Sequence, residues 1–172
     1  LLRETPRHPS WLVAVATGLL LVRRDGARRA SGALKRAARP ALVMLLYVLF
    51  ARIMAGSGAT GALAQAAAGA MGGAAPFAVP LLGLGAGIVT GSNVGSNAAM
   101  MPVQQALGLA AGLPPLLAPS VHNFAGAAGA GMSFAVTALI CGLLADGTRP
   151  AQIWRMLLPA AAGVLVIGWA AI

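Results

Sequence analysis

A chain of 172 residues that is 59% apolar and 9% charged carries too little polar surface for an ordinary soluble domain, and its net charge of +9 is unevenly spread. Between Ile53 and Ala145 there is no Asp, Glu, Lys or Arg, a run suited to a bilayer and not to water. The basic excess lies mostly between Arg23 and Arg39 without an aromatic residue to stack on a base, so nucleic acid is rejected as a partner and the segment reads as cytoplasmic by the positive-inside rule.

The polar start through Pro9 has charges and prolines but no cleavage site, so it is not a signal peptide. Because the chain opens Leu1-Leu2, it is expected to be the C-terminal part of a longer protein. Ser10 to Val22 is apolar yet short for about 30 Å of hydrocarbon at roughly 1.5 Å per residue. It is the end of a span, or a tilted one drawing on His8 and Trp11 at the interface. Arg23 to Arg39 follows as a solvated basic loop, or as an interfacial amphipathic helix carrying Arg28, Arg29, Lys35 and Arg36.

Pro40 suits a helix start, where its missing N–H would be orphaned anyway. Ala41 to Met54 is a helix that extends backwards into Ala33–Arg39 to reach spanning length. Arg52, near its far end, snorkels to the interface, and anchoring is favoured over anion binding. The expected organisation is therefore a truncated span with a basic cytoplasmic loop over residues 1–39 and a transmembrane region over 40–172.

Gly56-Ser57-Gly58 interrupts the pattern, and Thr60 to Met71 resumes as an Ala-rich helix, half of a re-entrant hairpin or a helix packed through small residues. Pro76 to Val89 carries Gly83, Gly85 and Gly87, which permit close backbone approach. Ile88 occupies the place a dinucleotide fingerprint needs for glycine, and no acid follows. Ala98 to Ala111 is helical despite Pro102. After Pro114-Pro115, the apolar run from Pro119 to Leu144 contains His122-Asn123 and then Gly126, Gly129, Gly131 and Ser133, a second broken helix. Asp146 to Pro150 is a loop, and Ile153 to Ile172 is a final span edged by Trp154, Arg155 and Trp169.

Between these helices lies the most informative stretch, Thr90-Gly91-Ser92-Asn93-Val94-Gly95-Ser96-Asn97, two Gly-Ser-Asn triplets in apolar surroundings. Polar groups in a bilayer are costly unless satisfied or used. A break at Gly91 frees carbonyls on one side and N–H groups on the other, ends that suit a cation and a carboxylate respectively. Ser92 and Asn93 can cap the next helix, with Ser96 and Asn97 on its first turn. Hydroxyls and amides can accept from a substrate hydroxyl while donating to its carboxylate, which fits a small hydroxy acid. The competing reading is that the triplets cap and pack helices and nothing more.

His122 is the one ionisable imidazole of the uncharged region and is weighed as a proton-exchanging or anion-binding group against a hydrogen-bonded structural one; Asn123 is weighed in the same way. Gln104 and Gln105 are assigned to interhelical bonding. A single Cys141 allows no internal disulfide, and the absence of paired carboxylates, a Cys/His cluster or a Ser-His-Asp set argues against an enzyme, a metal site and a cofactor.

The run from Gly87 through the doubled triplet, with Gln104 downstream, resembles the L-lactate permease family, which includes glycolate permeases. Leu34-Lys35-Arg36, Ser57-Gly58, Pro76-Phe77 and the Gly-rich segment from Asn123 to Ser133 extend the likeness from about Ala33 to the C terminus. Ala130 and Ser133-Phe134 stand where family members carry a Lys and a Ser-Pro pair. The resemblance implies an all-α, polytopic helical bundle with broken or re-entrant helices, in the bacterial inner membrane, that takes up lactate or glycolate with protons or another cation. It implies site positions at Thr90, Gly91, Ser92, Asn93, Ser96 and Asn97, and a missing N-terminal half without which the chain does not transport. A non-transporting scaffold whose Gly/Ala faces bring helices together is the alternative, and an ion channel a more distant one.

Overall fold

The computed structural model describes residues 10–22 and 26–172, all helices and their connections. The expected features at the start of the chain and the charges at 23–25 lie outside the described residues. Among the described residues eight α-helices follow in order: α1 (Ser10–Val22), α2 (Gly26–Gly56), α3 (Ala59–Met71), α4 (Ala75–Thr90), α5 (Asn93–Ala110), α6 (Leu117–Gly131), α7 (Phe134–Leu144) and α8 (Pro150–Ala170). Four stretches among the described residues are long and apolar enough to cross a membrane: Ala30–Gly56, Ala59–Thr90, Leu117–Leu144 and Pro150–Ala170. The protein is a helical membrane bundle.

The chain forms two compact units, Leu1–Val43 and Met44–Ile172. In the first, α1 and the start of α2 line a common groove through Thr17, Leu21, Ala30, Leu34 and Arg36. The expected basic loop is helical from Gly26 onward, and Pro40 lies within the helix instead of starting it. Ala, Arg, Lys and Leu are strong helix formers, and their density over Ala27–Ala38 outweighs the single backbone hydrogen bond that proline removes.

In the second unit α3 and α4 are joined by a short 3-10 turn at Gly72–Ala74. Gly91 then ends α4 in the left-handed region at φ 64°, its N–H bonded to the Gly87 carbonyl. The chain reverses there, so that Gln104 Nε2 on α5 donates to the Val79 carbonyl on α4 at 3.4 Å. What the sequence suggests as a break within one helix is thus the tip of an antiparallel hairpin. Gln104 is fully buried and bonds between helices, as expected.

Helix α6 makes its most extensive contact with α4. Gly83 faces the His122 backbone, and a Cβ on Gly87 would overlap the Gly126 carbonyl oxygen; one on Gly129 would overlap that of Leu84. Increasing numbers on one helix meet increasing numbers on the other, so the pair is parallel. Such approach requires glycine on both sides, and in a bilayer it gains its stability from van der Waals contact, because lipid is as apolar as the helices. Helix α5 runs antiparallel to α6, with Gly108 against Ala118 at one end and Ser96 beside His122 at the other.

Around this trio lies a core of small side chains, Ala64, Ala75, Val79, Leu107, Ala118 and Val121. Helix α8 closes one side. Gly168 packs on Pro80 and Val121, Trp169 Nε1 donates to the Phe77 carbonyl at 2.9 Å, and Trp154 stacks on Phe134 at 5.5 Å. The second helix break falls at Met132-Ser133; His122 and Asn123 lie inside α6 without interrupting it.

Candidate functional site

The hairpin tip is built from its own backbone needs. Ser92 is the N-cap of α5 and accepts from the Gly95 N–H at 3.1 Å, meeting one of the donors a helix start leaves open. The Thr90 hydroxyl has the Ala86 and Ser92 carbonyls at 2.8 and 2.9 Å as alternative acceptors. Thr90, Gly91 and Ser92 therefore shape the turn. Their polarity is spent locally.

One turn further the side chains point across to α6. Asn93 and Asn97 both donate through Nδ2 to Asn123 Oδ1, at 3.0 and 2.6 Å. Ser96 Oγ lies 3.1 Å from His122 Nε2, and both residues are fully buried. Gly126 makes this closeness feasible, since a Cβ there would stand 3.1 Å from both Asn93 Oδ1 and Ser96 Oγ. Five of the eight expected site residues, Asn93, Ser96, Asn97, His122 and Asn123, thus form one cluster, and the other three hold the turn that presents it.

Three atoms of the cluster are buried and unpartnered among the described residues: Asn93 Oδ1, Asn97 Oδ1 and His122 Nδ1. An unmet buried polar atom costs about 1–3 kcal/mol. Two of these atoms are acceptors, and the ring nitrogen is donor or acceptor according to tautomer, so the cluster can take a hydroxyl group and a proton.

The start of α7 lies beside the hairpin tip. Ser133 caps α7 by accepting from the Val136 N–H at 3.3 Å, and a Cβ on Gly91 would stand 3.5 Å from Ser133 Oγ. Two Ser-capped helix N-termini, of α5 and α7, therefore adjoin, and both place partial positive charge at the same end of the trio. Sequence reasoning did not single out Ser133 as a cap. Its signal is a Ser directly before an apolar run, following a glycine-rich stretch.

Arg52 also enters the picture. It lines a groove of about 370 Å³ together with Asn97, Ala98, Met101, Pro102 and Gln105 of α5. Tyr47, on the same part of α2, lies close enough to α5 that a Cβ on Gly95 would stand 3.3 Å from its ring.

No curated protein and no solved structure matches the chain. A family model described as L-lactate permease matches residues 12–167. That family and the four apolar helices point to a multi-pass membrane protein, a transporter of the permease kind for a lactate-like substrate. With a match running nearly from end to end, the chain belongs to the L-lactate permease family.

Proposed function

We propose that the chain contributes the substrate region of a proton-coupled carrier for small hydroxy-monocarboxylates, lactate or glycolate, in the bacterial inner membrane. The observation that carries this reading is the polar cluster, in which half-buried Asn93 and Asn97 and buried Ser96 of α5 meet buried His122 and exposed Asn123 of α6 within a segment free of fixed charge. Unpartnered amide oxygens suit a substrate hydroxyl, helix N-termini suit an approaching carboxylate, and the unpartnered Nδ1 of His122 is a ring nitrogen that can hold or release a proton. In this reading the chain acts with a preceding part of the carrier, since transporters of this kind pair two repeats around the site.

The glycine contact between α4 and α6 favours a second reading, a scaffold in which the same polar groups serve assembly alone. Labelled L-lactate uptake separates the two. Ser96→Ala and Asn97→Ala in the whole carrier are expected to lower uptake per folded molecule about tenfold or more, alongside a stability loss of about 1–3 kcal/mol where His122 Nε2 is left unpartnered. Lost assembly with unchanged uptake per folded molecule would favour the scaffold.

A further inference from the structure

We infer that Arg52 is the carboxylate-binding residue of this carrier, and that the groove between the end of α2 and α5 is where a small 2-hydroxy acid is held. The inference rests on the transport reading above and adds to it the group that takes the anion.

The polar cluster lacks a fixed positive charge, although its expected substrate is an anion. Arg52 stands immediately before the uncharged run that begins at Ile53, and the sequence offers no acid between Asp25 and Asp146 to neutralise it locally. Its groove wall is not the plain apolar surface a snorkelling anchor would need. Val48, Ala51 and Ala55 form one side, while Asn97 and Gln105 bring amides to the other. Pro102, also in the wall, has no N–H, so the Ala98 carbonyl one turn earlier lacks its usual intrahelical donor and is an additional acceptor.

Asn97 belongs to both places. Its Nδ2 is committed to Asn123, its Oδ1 is buried and unpartnered, and the residue also lines the groove beside Arg52. A 2-hydroxy acid matches this combination: the guanidinium takes the carboxylate through paired N–H donors, and the adjacent hydroxyl donates to an amide or carbonyl oxygen. The groove, about 370 Å³, is at the small end of ligand pockets, consistent with a substrate of few atoms.

The test is binding of L-lactate, glycolate and propionate, with lactamide as the neutral comparator, to the whole carrier in lipid nanodiscs. Arg52→Gln is expected to weaken L-lactate and glycolate binding about tenfold or more, the scale of a lost charge-assisted hydrogen bond, and to leave lactamide unchanged. Arg52→Lys recovers part of the loss. Val48→Glu, one turn earlier in the same groove, neutralises Arg52 by an ion pair and is expected to weaken carboxylate binding equally, which keeps the idea testable if the Gln variant fails to fold. Unchanged lactate binding in either folded variant, or an effect confined to co-purifying anionic lipid, overturns the assignment and leaves the transport reading standing. A wild-type carrier that binds none of these acids overturns both.

Discussion

Asn123 uses one oxygen to hold two helix-borne amides, those of Asn93 and Asn97. Asn123 is exposed and both amides are half-buried, so replacing it with Ala removes two hydrogen bonds worth about 0.5–1.5 kcal/mol each. Asn123→Ala is therefore expected to lower thermal stability as well as uptake. Asn123→Asp separates the two effects, because a carboxylate still accepts from both amides but repels an anionic substrate where the dielectric is low. Its expected signature is near-normal melting with uptake abolished, read by fluorescence-monitored unfolding beside vesicle transport. The polarity of these residues was legible from their doubled triplet and from His122-Asn123. Their pairing was not, since residues 26 to 30 positions apart can meet only once the direction of α5 is known. Arg52 shows the same limit: its position near a helix end favours an anchor over anion binding, and only packing brings Asn97 and Gln105 to its groove.

At the level of helices, glycine placement decides what can touch. A Cβ on Gly87 meets the Gly126 carbonyl and the Ala130 nitrogen, backbone atoms that cannot rotate aside, whereas Gly85 has nothing within 4 Å. Gly87→Ala is expected to force α4 and α6 apart and to reduce folded yield sharply in size-exclusion chromatography. Gly85→Ala should be neutral or gain up to about 1 kcal/mol, since alanine is the better helix former. Helix positions themselves were readable from hydropathy and glycine: the helix expected over Thr60–Met71 spans Ala59–Met71, and the one expected over Pro76–Val89 spans Ala75–Thr90. The reversal at Gly91 was not readable, because a left-handed glycine followed by a serine cap both bends and reverses chains, and the choice belongs to the contact of Gln104 with Val79.

Taken as a whole, the molecule has very few groups able to titrate under physiological conditions. Its acids are three and its histidines two. Asp146, in the turn before α8, has its carboxyl held below the usual range by the Thr148 hydroxyl and then by the Thr148 N–H. A depressed carboxylate contributes to its turn above its unfolded value and loses that contribution only as pH falls through the lower folded value. The α7–α8 loop is thus expected to keep its structure between about pH 5 and 8, where imidazole titrates. Uptake driven by an inward proton gradient should lose its pH dependence in His122→Asn and retain it in His8→Asn and Asp146→Asn, measured as initial rates across that range. The glycine seam has a mechanical corollary. Two helices in backbone contact have little along the seam to repack, Ala125 Cβ against Gly83 being one such side chain, and little slack for sliding, because a shift would drive carbonyls into backbone atoms. Helices α4 and α6 must then travel as a single strut during any transport cycle, and the displacement that exposes the substrate first to one side and then to the other has to be taken up by the parts that rest against that strut.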